Sequence, residues 1–193
     1  SDTGGHVRRV QLLSDAIAQR MQQRGVYADE LSPQLLDMIG LASILHDVGK
    51  VATPDAVLLK PGRHTDEERA QMQLHAGVGR TILERAANMV DGVSYLTYGA
   101  QIAGGHHEHF DGAGYPNGLS GRDIPVAARI VAVVDVFDAS LHERPYKEPW
   151  PYPQVREYIE QRSGSQFDPE VVAALQDLID HEPQLWHPER ATT

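Results

Sequence analysis

Apolar residues in this chain recur at intervals of three and four almost from end to end, a spacing that restricts the fold to packed helices. Val7, Val10, Leu13, Ile17 and Met21 form one face of a helix predicted from about His6 to near Gly25, with His6 in its first turn. Ser32 and Pro33 are a suitable cap and first residue for a second helix, whose apolar run from Leu35 to Leu45 would carry it into His46-Asp47, with Gly49 placed to stop it. The segment from Val51 to His64 reads as loop and short helix. Thr65 and Glu68 then have the spacing of a capping box for a helix that carries His75, is interrupted near Gly77 and Gly79, and resumes to about Met89.

A helix is predicted from Ala100 to Phe110, followed by a loop dense in turn formers from Asp111 to Gly118. Val126 to Ala139 is rich in β-branched residues, yet its length and the preceding Pro125 favour a buried helix over a strand. Two helices follow the proline cluster 145–153, the second opened by Asp168 and Pro169. No run alternates as a strand does, and no repeat is present. The expectation is an all-α, single compact domain of seven or eight helices spanning residues 1–193.

Composition narrows the chemistry. With no cysteine, any metal must be held by nitrogen and oxygen donors, and no apolar run is long enough to span a bilayer. A formal net charge of −10 argues against binding extended nucleic acid, while leaving room for a small anion where cations gather. A cytoplasmic location fits these features. The chain has ten histidines, and their placement carries more than their number.

The candidate metal ligands are His6, His46 with Asp47, His75, His106 with His107, and Asp135, expected on five different helices. Neighbours on a helix point roughly 100° apart, so neither doublet can enter an apolar core without polar partners, and metal ions are such partners. Taken singly, a histidine such as His6 or His75 is more often a surface or hydrogen-bonded residue than a ligand, and His46-Asp47 alone also reads as a polar helix end. A mixed imidazole and carboxylate set suits a binuclear site of first-row divalent ions, iron or manganese foremost and nickel or zinc as alternatives. Two such ions are a common device for hydrolysing phosphate esters.

His46-Asp47-Val48-Gly49-Lys50 resembles the HDxGK signature of the HD superfamily of metal phosphohydrolases. His106-His107-Glu108, Asp111-Gly112 and Gly114-Tyr115-Pro116 resemble the HHExxDGxGYP signature of its HD-GYP branch. The similarity extends to the segments 4–10, 59–62, 135–139, 144–147 and 167–170, in the expected order.

The resemblance implies an HD-type domain with a metal site between helices, acting as a phosphodiesterase on a cyclic dinucleotide such as cyclic di-GMP and giving linear pGpG, with GMP as the alternative end product. By similarity, His6, His46, Asp47 and Asp135 would hold one ion, with Asp47 bridging to a second held by His75, His106 and His107. Asp2 stands where some relatives carry a glutamate for a third metal, one methylene shorter. Lys50 would meet a phosphate oxygen near the metals and, with Asp47, form the catalytic pair. Arg144, Lys147 and Tyr115 would contact substrate. The Gly-Tyr-Pro loop is also a proposed docking point for diguanylate-cyclase-type domains. His142, in a stretch that departs from the family pattern, reads as a surface substitution with a ligand role as the alternative. Two further functions stay in view: a cyclic-dinucleotide binding or cyclase-docking module without turnover, and an HD phosphohydrolase of ordinary nucleotides. The chain is expected to be a piece of a longer protein with an upstream receiver or sensor domain.

Overall fold

The computed structural model describes residues 3–142 and 148–185, which form eight α-helices and no named strand. Asp2, Arg144 and Lys147 lie outside the described residues. Helix α1 (Thr3–Gln23) buries Val10, Leu13, Ile17 and Met21, the face predicted by their spacing. Helix α2 (Pro33–Ser43) opens as expected on Ser32, whose side chain accepts from the Leu35 N–H, and packs along α1. After the short α3 (Asp55–Leu58), α4 (Asp66–Ala87) begins on the Thr65–Glu68 capping box.

Helix α5 (Tyr95–Gly105) lies against α4 and α2, and α6 (Val126–Leu141) crosses the middle of the molecule. Twelve of the sixteen residues of α6 are buried, against α1, α2, α5, α7 and α8. That encirclement explains why a β-branched segment is helical: apolar contact on every side outweighs the small loss of side-chain freedom. Helices α7 (Tyr152–Gln161) and α8 (Pro169–His181) close the core, the latter capped by Asp168 as predicted.

Three boundaries differ from the expectation. Helix α2 ends at Ser43, short of His46 and Asp47, because the chain tightens into bonds three residues apart: His46 to Ser43, Val48 to Leu45, Lys50 to Asp47. Gly49 lies inside the 3₁₀ helix that follows (Val48–Ala52), where a Cβ would stand 2.0 Å from the His75 carbonyl, so its role is close approach to α4. Helix α4 runs unbroken through Gly77 and Gly79. Helix α5 starts earlier than predicted and stops at Gly105, leaving His106 as its C-cap and His107 and His109 beyond it. Three candidate residues therefore lie on helices α1, α4 and α6, while both doublets sit just past helix ends.

Candidate metal centre

Residues far apart in sequence converge in two groups, one of Asp47, His75, His106 and His107, the other of His6, His46 and Asp135. Within each, the potential ligand atoms lie within 4.8 Å of one another. Asp47 also reaches the second group. Its Oδ2 is 3.4 Å from His46 Nε2, while its Oδ1 is 3.5 Å from His75 Nε2 and 3.9 Å from His106 Nε2. Two ligands sharing one ion at bonds of about 2.1 Å stand roughly 3.0–3.5 Å apart, so a few tenths of an ångström of contraction brings these atoms to coordination distance.

Local backbone aims three of the histidines. The Nδ1 of His46 donates to the Ser43 carbonyl at 2.8 Å, that of His75 to Met72 at 2.6 Å, and that of His106 to Ile102 at 3.0 Å. A carbonyl only accepts, so the proton is on Nδ1, and in the neutral ring that binds a metal this leaves the lone pair on Nε2. All three Nε2 atoms are buried without a hydrogen-bond partner. Three orphaned acceptors facing one carboxylate would be costly as a purely structural arrangement, and they fit a divalent cation with no change of tautomer.

The electrostatics agree. Burial, followed by the neighbouring imidazoles, pushes His106 down to about 4 and His107 down to about 2. Burial likewise lowers His75, so these three rings are neutral at physiological pH, as ligands must be. Burial also opposes the charged forms of Asp47 and His46, but their mutual attraction, helped by Lys50 and Asp135, outweighs it. Asp47 is held well below the carboxylate range and His46 is raised. The Lys50 Nζ donates to Asp47 Oδ2 at 2.6 Å.

The histidines form the floor, with His46, His75 and His106 side chains at most 3% exposed, while Asp47 and Lys50 are each 35% exposed. Asp47 and Lys50 are thus the solvent-facing members of the cluster. On one side Tyr115 stacks on His107, ring centroids 4.7 Å apart and 21° from parallel. Burial, then the carboxylates of Asp47 and Asp135, pushes its hydroxyl up to about 12, so it stays a donor. The loop that carries Tyr115 is held by Glu108, whose carboxylate accepts from the Asn117 and Leu119 N–H groups at 2.7 and 3.0 Å.

The structure thus gathers His6, His46, Asp47, His75, His106, His107 and Asp135, with Lys50 and Tyr115 at their edge. His142 joins neither group: its Nδ1 donates to the Asp138 carbonyl at 2.9 Å. Reading the sequence passed over two buried carboxylates, Glu108 and Asp138. Both had a signal: Glu108 follows a histidine doublet and precedes a loop rich in N–H groups to satisfy, and Asp138 is one turn from Asp135 in a largely apolar segment.

Two relatives in Vibrio cholerae are each 44% identical to this chain over 93% of its length: a probable cyclic di-GMP phosphodiesterase, of which the match covers 42%, and a 3′3′-cGAMP-specific phosphodiesterase, of which it covers 32%. The chain therefore spans well under half the length of these proteins. A crystal structure of a cyclic GMP-AMP-specific phosphodiesterase from the same species superposes on 97% of the chain and 46% of that structure, with a TM-score of 0.66 at 23% identity, a likeness of fold. The HD domain family model matches residues 6–171, and with its all-helical architecture and candidate His/Asp groups the chain belongs to the HD domain family.

Proposed function

We propose that this chain is a metal-dependent phosphodiesterase domain of the HD-GYP type that hydrolyses a 3′–5′ linkage of a cyclic dinucleotide, cyclic di-GMP foremost, to linear pGpG, with GMP as the alternative end product. The observation that carries the reading is the Asp47 carboxylate, which faces His46 with one oxygen and His75 and His106 with the other. His6, His46, Asp135 and Asp47 would hold one divalent ion; Asp47, His75, His106 and His107 would hold the second. Iron or manganese suits this donor set best, with nickel or zinc as alternatives, and a third ion would need Asp2. When bound, two such ions supply Lewis acidity toward the phosphoryl oxygens and lower the pKa of the attacking water.

The remaining steps belong to the protein's own groups. Lys50 retains donors beyond its bond to Asp47 and would anchor a non-bridging phosphate oxygen at the solvent side. Tyr115 shields His107 from water and would place its protonated hydroxyl beside the nucleotide. Arg144 and Lys147, shortly after α6 in sequence, would supply the positive charge that an acidic chain otherwise lacks near its substrate. The loop from Asp111 to Gly118 would offer Ala113 and Asn117, both exposed, for any docking of a cyclase-type domain.

The test is a product assay on metal-loaded protein offered cyclic di-GMP, 3′3′-cGAMP and deoxynucleotides. Conversion of a cyclic dinucleotide to its linear form, lost in D47A, is expected. Relatives named for both cyclic dinucleotides make 3′3′-cGAMP the competing substrate, and the ratio of kcat/KM decides between them. Binding without turnover by fully metal-loaded protein would replace the proposal with a sensing or docking module.

A further inference from the structure

Four histidines of the centre have their Nδ1 occupied, and three are held by a carbonyl three or four residues earlier on their own backbone. His6 cannot be held that way, because it lies in the first turn of α1 and has no preceding turn to supply the acceptor. Its Nδ1 instead donates to Asp138 Oδ2 at 2.7 Å, across 132 residues of sequence. Asp138 is 2% exposed and is itself fixed by Arg9, whose Nε donates to Oδ1 at 2.5 Å and whose Nη2 reaches Oδ2 at 3.2 Å. Asp135 and Asp138, one turn apart on α6, address opposite nitrogens of one ring: Asp135 Oδ1 is 3.7 Å from His6 Nε2.

We infer that Asp138 is the positioning residue of the His6 group: it holds the Nδ1 proton, fixes the ring with Nε2 toward Asp135, and, among the four histidines whose Nδ1 partners are described, backs His6 alone with a full negative charge. The inference rests on the reading of the two groups as metal sites. The Arg9 guanidinium, with one nitrogen on each oxygen of Asp138, sets a fixed positive charge against the buried carboxylate. A carboxylate behind a ligating imidazole strengthens the ligand and locks its tautomer, and its loss commonly weakens metal binding by about 10- to 100-fold. The consequence is asymmetry. One ion would be bound by a histidine with anionic support, the other by three histidines backed in part by neutral carbonyls, so the two affinities would respond separately to substitution at residue 138.

The experiment titrates Mn²⁺ into the metal-stripped full chain, as wild type, D138N, D138E, H6A and H6A/D138N, with circular dichroism confirming equal helix content. D138N should weaken one of two binding events by about 10- to 100-fold and leave the other unchanged. In the H6A background D138N should add no further loss, because Asp138 acts through His6. D138E, which keeps the charge at the expense of shape, should bind better than the isosteric D138N; the reverse order would show that residue 138 only fills space and would overturn the inference. Unchanged binding by D138N, or an equal loss with His6 absent, overturns it as well while leaving the metal centre intact. Failure of the wild type to bind Mn²⁺ at all would remove the metal-centre reading itself and the inference with it.

Discussion

Glu108 shows how much one side chain can settle. Its buried carboxylate satisfies two N–H groups of the 111–119 loop, at Asn117 and Leu119, and the loop returns to the end of α5 through the Tyr115 N–H on the His107 carbonyl at 3.1 Å. Gly114 permits that return, since a Cβ there would lie 2.2 Å from the His109 nitrogen. Removing the carboxylate leaves two donors to water and frees Tyr115 from His107. E108A is therefore expected to cost about 1–3 kcal/mol in thermal or urea unfolding. In steady-state kinetics it should raise KM for the cyclic dinucleotide more than it changes metal content, because its carboxylate bonds to the loop N–H groups of Asn117 and Leu119. An E108A protein with wild-type KM would show that the loop position does not matter to substrate.

Between elements, the junctions of α1 with α2 and of the 3₁₀ turn with α4 decide where the doublets point. The His46-Asp47 turn meets α4 backbone to backbone at Gly49, Gly79 and the His75 carbonyl, leaving no room for a methyl group. G49A must push that turn off α4, at a cost of about 1–3 kcal/mol for overpacking, and should reduce bound metal per chain in elemental analysis because Asp47 moves away from His75. At the other junction, Asp15 on α1 accepts from the Gly40 N–H in α2 at 2.8 Å. Burial raises its pKa, and the bond to Gly40 only partly offsets this. With the folded value above the unfolded one, the native state holds more protons as pH rises past the ordinary carboxylate range, so this group's contribution to stability falls with rising pH. D15N keeps an acceptor for Gly40 without the charge. Melting curves are expected to place it at or above wild type at pH 7, with the advantage shrinking toward pH 3; a lower melting temperature at pH 7 would contradict the burial argument.

At the scale of the molecule, α6 and α8 are tied together by Arg129. This buried guanidinium on α6 donates to Asp168 at the start of α8 at 2.7 Å and to the Ile124 carbonyl at 2.8 Å, pairs with Glu30, and lies over the Tyr27 ring. Breaking a buried pair by removing one partner costs about 3–5 kcal/mol, which predicts a large drop in unfolding free energy for R129M; a drop under about 1 kcal/mol would show that the network adds little. Most of the helices were legible in the sequence, because helical periodicity, the Ser32, Thr65 and Asp168 caps, and the turn formers from Asp111 to Gly118 act over a few residues. Four of the seven candidate ligands were legible as two doublets that an apolar core cannot accept, whereas His6 and His75, taken singly, were not distinguished from ordinary polar residues. The doublets' exact places relative to helix ends were not legible, because a helix ends where tertiary contacts compete with its own bonds, as Gly49 against α4 and Glu108 against its loop do here. Nor could sequence show that Asp138 stands behind His6, since no local rule links residues 132 apart. The amino-acid order by itself determined an all-helical chain with an unusual store of nitrogen and oxygen ligands. Only the packing of α1, α4, α5 and α6 around the His46-Asp47 turn decided that those ligands face one another, because convergence depends on distances between helices that no single helix encodes.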